Sequence, residues 1–296
     1  MMSTRTGISI KNILLPTDFS DESARAINYV CGLQRHYDAS VYVVHVLDAF
    51  PFSLSSDPAA AARITEIHQR GSTQMQDFIE AHRLEGIKFN SALLSGEISS
   101  AVEKFSRERA IDLIVLGSHG DEGVTRLFRG SMAEEIFRTA ECPVMVVGPK
   151  ASARESSGVF NHLLFPTDLS SFSKAAIPYV ELLLTNNRTT RVSLAHCLEQ
   201  DPGTPYERHR LRELVEQELT AMISPALREQ IEGVAVEFCS PAEGIIDMAR
   251  GLDADLLVLG VRHGGSFVRA ATHGLCSMAA HVIAQAPCPV LTVRAL

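Results

Sequence analysis

Four residues near position 120 are spaced as a phosphate-binding loop would require. Gly117 and Gly120 are followed, after nine residues, by Gly130 and Ser131, and the group comes directly after the run 112–116 (DLIVL), which is apolar from Leu113 onwards. Glycine lets backbone N–H groups approach a ligand closely. A Gly-Ser pair that opens a helix directs unpaired N–H groups and the helix dipole at an anion. The spacing therefore predicts a phosphate site, to which the Ser131 hydroxyl can also donate.

A second polar stretch, Pro16-Thr17-Asp18, follows the first apolar run of the chain, residues 13–15. A carboxylate and a phosphate repel each other, so we expect Asp18 at the opposite end of the ligand, accepting hydrogen bonds from ribose hydroxyls or an amine. Taken alone, Asp18 fits equally well in an N-cap box with Ser20, and any one glycine fits a simple turn. The joint occurrence of both stretches favours a binding site.

Three basic side chains around the glycine loop are candidates for contact with a phosphate. His119 lies within the loop, and Arg126 and Arg129 precede its last glycine, with Arg129 the nearer. Each fits a solvent-facing position equally well. His273 and His281 have no third ligand at metal spacing, so the metal we expect is a divalent ion bound through nucleotide phosphates. Motifs of P-loop ATPases, α/β-hydrolases and zinc proteases are absent, and we predict no catalytic residues.

The elements that must position these residues alternate between apolar runs and helical patterns. Strands without polar alternation have to be covered on both faces, which predicts a five-stranded parallel sheet with helices above and below. Ligands bind beyond the carboxyl ends of such strands, where both polar stretches lie. We predict strands at 13–15, 41–47, 87–94, 112–116 and 144–147. One helix is predicted to begin after Ser20, and three others to span 59–84, 98–109 and 130–140. Gly71 is a possible interruption of the helix 59–84.

The chain repeats this organisation at an offset of about 145 residues, which is the size of a domain. Residues 14–20 (LLPTDFS) return as 164–170 (LFPTDLS), and residues 112–117 (DLIVLG) return as 255–260 (DLLVLG). We predict domains at 1–149 and 159–296, joined by the small, polar linker 150–158. Strands of the second copy are predicted near 162–166, 191–197, 234–239, 255–260 and 289–293.

The second copy lacks the glycine spacing. Asp168 and His196 stand where the first copy has Asp18 and His45, but Val46 is replaced by Cys197. The glycines after Gly260 are at 264 and 265, and Cys276 takes the position of Gly130. We therefore predict one intact phosphate loop, in the first half, and a weak or absent nucleotide site in the second.

Composition narrows the class of protein. The 296 residues carry a net charge of −8 without a basic stripe, which argues against nucleic acid as the ligand. No apolar run has the length of a membrane span and the start lacks a signal-peptide pattern, so we expect a cytoplasmic protein away from membranes. Six cysteines are too sparse for a disulfide scaffold and none is in a CxxC pair, so we expect no metal cluster.

These residues resemble those of the universal stress protein family over nearly all of both halves. The resemblance implies two tandem flavodoxin-like, Rossmann-like α/β domains, each with strand order 3-2-1-4-5. Nucleotide-binding members carry G-x2-G-x9-G-[S/T], which Gly117, Gly120, Gly130 and Ser131 fit without a gap. They also carry an acidic residue after the first strand, which Asp18 matches.

The resemblance also implies which residues contact the nucleotide. Val46, after His45 at the end of the second strand, would contact adenine. The residues implied for the nucleoside are Pro16, Thr17, Asp18 and Val46. Those implied for the phosphates are Gly117, His119, Gly120, Arg129, Gly130, Ser131 and Met132. The implied ligand is ATP, with Mg²⁺ or Mn²⁺ bound through its phosphates. Members dimerise through the last strand, so two domains in one chain would form an internal pseudo-dimer, and a homodimer of chains is also compatible.

Three functions are compatible with the sequence. The leading hypothesis is an adenine-nucleotide-binding stress-response protein that works as a sensor or adaptor. A second is a slow ATPase or another nucleotide-processing enzyme that uses the same pocket, with Arg129, His119 or a bound Mg²⁺ supplying charge. A third is a scaffold whose second domain binds a different small molecule.

Overall fold

The computed structural model describes residues 8–47, 58–82, 87, 89–118, 132–151, 157–262 and 275–295. The first half consists of strands and helices in strict alternation. Its strands are β1 (Asn12–Pro16), β2 (Ser40–Leu47), β3 (Phe89–Ser95), β4 (Leu113–Gly117) and β5 (Val144–Val147). Its helices are α1 (Asp21–Tyr37), α2 (Pro58–Ala81), α3 (Ile98–Glu108) and α4 (Met132–Thr139).

The second half repeats the alternation. Its strands are β6 (His162–Pro166), β7 (Arg191–Leu198), β8 (Ile231–Phe238), β9 (Leu256–Val261) and β10 (Val290–Arg294). Its helices are α5 (Ser171–Lys174), α6 (Ile177–Asn186), α7 (Pro205–Met222), α8 (Pro241–Gly251) and α9 (Leu275–Gln285), and a 3₁₀ turn (Pro225–Gln230) precedes β8.

The ten described strands form one continuous sheet in the order β3-β2-β1-β4-β5-β10-β9-β6-β7-β8. Within each half the pairings are parallel, and counted from the outer strand each half has the order 3-2-1-4-5. The halves meet where β5 and β10 pair antiparallel, with Val290 opposite Val146 and Thr292 opposite Val144. The predicted α/β fold class is confirmed; in detail, the two five-stranded sheets are joined into one mixed sheet.

Both faces of the sheet are buried, because successive side chains of a strand point to opposite faces. In β1, Ile13 and Leu15 pack in the core beneath α1 and α2, whereas Leu14 packs in the core beneath α3 and α4. All three are fully buried. This two-sided burial is why the strands show no polar alternation in the sequence.

Helix α2 continues through Gly71, where the sequence left an interruption open. A β-carbon at this position would lie 2.6 Å from Leu47 Cδ2, so the glycine lets the helix approach the end of β2 closely. A tertiary contact therefore accounts for a residue that local propensity would place at a helix break. None of the helices within the described ranges has both the length and the hydropathy of a membrane span.

Candidate functional site

The turn after β1 is held together by hydroxyl groups. Thr17 is fully buried, and its Oγ1 lies 2.9 Å from Ser23 Oγ. The same Thr17 oxygen accepts a hydrogen bond from the Phe19 backbone N–H at 2.9 Å. Ser23 Oγ donates to the backbone carbonyl of Ser20, also at 2.9 Å. These bonds tie the strand end to the first turn of α1, and Asp18 is held at the tip between them.

The Asp18 carboxylate is exposed at the carboxyl edge of the sheet. Its Oδ1 accepts hydrogen bonds from the Ser20 backbone N–H at 3.1 Å and from Ser20 Oγ at 2.5 Å. Ser20 is the N-cap of α1, since its Oγ accepts from the Ser23 N–H at 3.2 Å. The capping role that the sequence left open is therefore present. It orients the carboxylate without burying it.

Phe19 and His45 close one side of the turn. Phe19 has a φ of 65°, a left-handed conformation that a bulky residue adopts only when its surroundings hold it there. Its ring lies 4.3 Å from the His45 ring and 5.7 Å from the Phe78 ring. His45 Nδ1 lies 2.8 Å from the Thr17 carbonyl oxygen, and a carbonyl can only accept, so Nδ1 carries the proton.

Val46 and Met132 supply apolar surface on the other face of the sheet. Val46 is half-buried near the end of β2, and Met132 is half-buried at the start of α4. Both pack against the core beneath α3 and α4. The structure thus places Pro16, Thr17, Asp18, Val46 and Gly117 at the carboxyl ends of three adjacent strands, β2, β1 and β4.

Gly117 has a packing role that the sequence does not reveal. A β-carbon on this residue would lie 1.8 Å from the carbonyl oxygen of Glu22, in the first turn of α1. The next residue, Ser118, is fully buried, and its N–H donates to the Val147 carbonyl at 3.1 Å. Its Oγ has no hydrogen-bond partner in the described part of the chain. Burying an unsatisfied hydroxyl costs about 1–3 kcal/mol, so Ser118 marks a place where a further polar partner would be stabilising.

The remaining predicted site residues, namely His119, Gly120, Arg129, Gly130 and Ser131, lie outside the described residues. Sequence reasoning did not single out Ser23 and Ser118, whose hydroxyl groups lie beside the same strand ends. A signal for Ser23 was present, because the pair Thr17 and Ser23 returns with the same spacing as Thr167 and Ser173.

The second half builds the same turn. Thr167 Oγ1 lies 2.7 Å from Ser173 Oγ, and His196 Nδ1 lies 2.7 Å from the Thr167 carbonyl oxygen. Asp168 accepts from the Ser170 N–H at 3.0 Å. Partial burial acts to raise the pKa of Asp168, but hydrogen bonds from Ser170 and Ser173 outweigh it, and the pKa lies below its usual value. The halves therefore share the geometry of the strand-end turn.

A groove of about 200 Å³ lies elsewhere in the first half, between α3 and α4. Its floor is apolar and includes Val102, Ile114 and Ile136. It extends to Ile111 and Cys142, which precede β4 and β5 at the amino ends of these strands. The predicted site residues do not line it, so the groove and the strand-end turn are separate features.

Comparison with known proteins gives a consistent result for both halves. A model described as "Universal stress protein family" matches residues 9–148 and 160–294. Universal stress protein MJ0531 of Methanocaldococcus jannaschii is 31% identical over 138 residues, which are 46% of this chain and 81% of that protein. A putative universal stress protein of Staphylococcus epidermidis is 33% identical over 143 residues, 47% of this chain and 85% of its own length.

Two solved structures match across both halves together. The crystal structure of a universal stress protein from Archaeoglobus fulgidus DSM 4304 has a TM-score of 0.67 and 21% identity, covering 96% of this chain and 98% of that one. A putative universal stress protein from Pseudomonas aeruginosa UCBPP-PA14 has a TM-score of 0.57 and 15% identity, covering 96% and 93%. At these identities the likeness shows the fold alone.

Proposed function

This chain belongs to the universal stress protein family, and we propose that its first half binds an adenine nucleotide, specifically ATP, as a sensor or adaptor in a stress response. One observation carries the proposal: an exposed carboxylate, Asp18, is held at the carboxyl edge of the sheet by a buried hydroxyl network. We propose that the protein acts in the cytoplasm, as the sequence predicts.

The described residues fit the nucleoside part of such a ligand. A nucleoside combines an apolar base with a sugar that carries hydroxyl donors. Val46 offers half-buried apolar surface for the base, and the Asp18 carboxylate accepts hydrogen bonds from the sugar. The unpartnered hydroxyl of Ser118, one residue beyond β4, adds polar capacity at the same edge.

The assignment of the phosphates rests on the sequence spacing. Helix α4 begins at Met132, directly after the glycine-rich stretch of the sequence. This stretch contains Gly120, Gly130 and Ser131, with His119 and Arg129 beside them, and it therefore leads into the amino end of a helix. Unpaired N–H groups at this end favour an anion. When Mg²⁺ or Mn²⁺ is present, we propose that it binds through the phosphates.

We propose that the second half serves the first as an internal dimer partner. Beyond the β5–β10 pairing, Thr292 Oγ1 donates to the Val144 carbonyl at 3.0 Å. Arg294 Nη1 donates to the Arg138 carbonyl at 2.8 Å, and its guanidinium lies 5.7 Å from the centre of the Phe137 ring. In the second half itself, Cys197 in place of Val46 and the altered loop predict weak nucleotide binding or a different small molecule.

A matched pair of variants tests the nucleoside assignment. Asp18→Ala and Asp168→Ala remove equivalent carboxylates from equivalent turns, so they perturb the local fold alike. Isothermal titration with ATP should show at least a tenfold loss of affinity for Asp18→Ala and wild-type affinity for Asp168→Ala. Equal effects of the two variants, or unchanged binding in both, would contradict the proposal. Phosphate release well above background in the wild type would favour the slow-ATPase alternative over a sensor.

A further inference from the structure

The carboxyl ends of β7 and β8 bring two thiols together. Cys197 is the next-to-last residue of β7, and Cys239 directly follows β8, where its N–H donates to the Leu198 carbonyl at 3.0 Å. Both cysteines are free thiols and both are partly exposed. A β-carbon built on Gly244 of α8 would lie 2.3 Å from Cys239 Sγ and 3.0 Å from Cys197 Sγ. The two sulfur atoms therefore converge on one point of α8, where Cys197 Sγ donates to the Pro241 carbonyl at 3.9 Å.

The first half has a different set of residues at the matching positions. Val46 stands in place of Cys197, Gly96 follows β3 as Cys239 follows β8, and Ala101 is the fourth residue of α3 as Gly244 is of α8. After the outer strand, the second half thus has Cys239 where the first half has the smaller Gly96. On the facing helix it has Gly244 where the first half has the larger Ala101. This complementary exchange makes room for two sulfur atoms that the first half lacks.

The surroundings favour neutral forms of the pair. Burial, together with the neighbouring Cys239 side chain and the negative charge of Glu237, raises the pKa of Cys197 to about 12. Burial and negative charge disfavour a thiolate. A disulfide carries no charge, so neither burial nor the charge of Glu237 destabilises it.

We propose that Cys197 and Cys239 are a reversible redox pair, which a low-molecular-weight disulfide of the glutathione type converts to an intramolecular disulfide. Two converging thiols and the space left by Gly244 carry this proposal. It is independent of nucleotide binding in the first half.

The reaction proceeds by two thiol–disulfide exchanges. Cys239 loses its proton to solvent and its thiolate attacks one sulfur of the small disulfide, whose S–S bond breaks; one small thiolate leaves and takes up a proton. Cys197 then loses its proton and attacks Cys239 Sγ, which expels the second small thiol. The two cysteines lose two electrons and two protons, and one small disulfide becomes two thiols. Cys239 reacts first because the high pKa of Cys197 keeps that thiol protonated.

Closing the bond would move the strand end that borders the second site. Cys197 pairs with Glu237 in the sheet, so Cys239 is two register positions further along. Since disulfide geometry requires close α-carbons, the segment at Cys239 and Ser240 must move toward β7. Ser240 is the N-cap residue of α8, and Cys197 occupies the position of Val46. Oxidation would therefore reshape the wall of the second half's strand-end site.

The test equilibrates the folded full chain in buffers of reduced and oxidised glutathione, followed by acid quenching, alkylation and peptide mass mapping of all six cysteines. We expect oxidising buffer to remove two alkylation sites, to lower the mass by two hydrogen atoms and to join the peptides of Cys197 and Cys239. Dithiothreitol should reverse all three changes. Cys31→Ser and Cys142→Ser, matched controls at other free thiols, should leave them intact.

Single variants test the order of steps. Cys197→Ser should retain a glutathione adduct on Cys239, whereas Cys239→Ser should leave Cys197 unmodified; circular dichroism confirms that both variants fold. Full alkylation of Cys197 and Cys239 in oxidising buffer would overturn the proposal. So would a disulfide that joins either of them to another cysteine.

Discussion

At the scale of single residues, the buried pair Thr17 and Ser23 is the contact on which the geometry of the strand-end turn depends. Ser23→Ala leaves the Thr17 hydroxyl without one of its buried partners and removes one of the two hydrogen bonds to the Ser20 carbonyl, so we expect a loss of about 1–3 kcal/mol of stability. Thermal unfolding measures it as a lower midpoint. Ser171→Ala, at an exposed serine, should leave the midpoint unchanged, and an equal shift in both variants would refute this role.

The packing role of Gly117 can be tested by stability measurements, without a ligand. Gly117→Ala places a β-carbon against the backbone of Glu22, which cannot move aside as a side chain can, so we expect destabilisation of about 1–3 kcal/mol or more. Gly251→Ala is the matched control, because nothing lies within 4 Å of its β-carbon position. Urea unfolding should show a lower midpoint for the first variant alone. If both variants are as stable as the wild type, the glycine has no packing role.

Residue types alone were enough to identify Asp18, Thr17 and Gly117 as candidates, because an acidic turn and a glycine after apolar strands are visible in the sequence. The role of Ser118 was not visible, since it depends on burial. The packing role of Gly117 likewise arises from a helix that is distant along the chain. Contacts of this kind leave no local pattern for sequence reasoning to read.

At the scale of elements, two carboxyl groups join α3 to α4. Glu97 is the N-cap of α3 and accepts from the Ser100 N–H at 3.1 Å, while Glu135 of α4 accepts from the Ser99 N–H at 3.0 Å. The hydrogen bond from Glu135, with those from Ser100 and Ser99, lowers the pKa of Glu97 to about 2. The bond to Glu97, followed by burial, raises the pKa of Glu135 above its usual value. The opposite directions of these shifts indicate that, below the raised pKa of Glu135, its protonated carboxyl shares its proton with the Glu97 carboxylate.

This sharing predicts a pH dependence of stability. A carboxyl whose pKa is raised by folding stabilises the protein below its unfolded pKa, and that contribution is lost as the pH rises through the folded value. Glu135→Gln keeps a donor at every pH, so the wild type should lose thermal stability relative to this variant as the pH rises from about 4, near the ordinary pKa of a glutamate, through the raised pKa of Glu135. The exposed control Glu80→Gln should show no such trend. A constant difference across the range would contradict the shared proton.

Strand and helix positions were largely predictable, because two-sided burial and helical spacing are strong periodic signals. The first and last residues of these elements were less predictable. Strand β8 begins at Ile231, before the predicted 234, where the side-chain amide of Gln230 donates to the carbonyls of Leu184, Asn187 and Thr190. Such tertiary anchoring extends an element beyond what its own residues indicate.

At the scale of the whole molecule, the antiparallel β5–β10 pairing covers two strands that would otherwise be sheet edges. A fragment ending at Pro149 would expose the edge of β5, with Val144 and Val146, and exposed edges recruit further strands. We expect this fragment to self-associate with rising concentration in analytical ultracentrifugation. A stable monomer would show that the second half is not needed as a partner.

The two halves share a strand-end turn, and we propose that only the first half completes a nucleotide site. Native mass spectrometry of the full chain, titrated with ATP, tests this most directly because it counts bound ligands. We predict a single bound nucleotide at saturation, retained in Asp168→Ala and lost in Asp18→Ala. Two equivalents per chain, or none on the folded protein, would contradict a single nucleotide site in the first half.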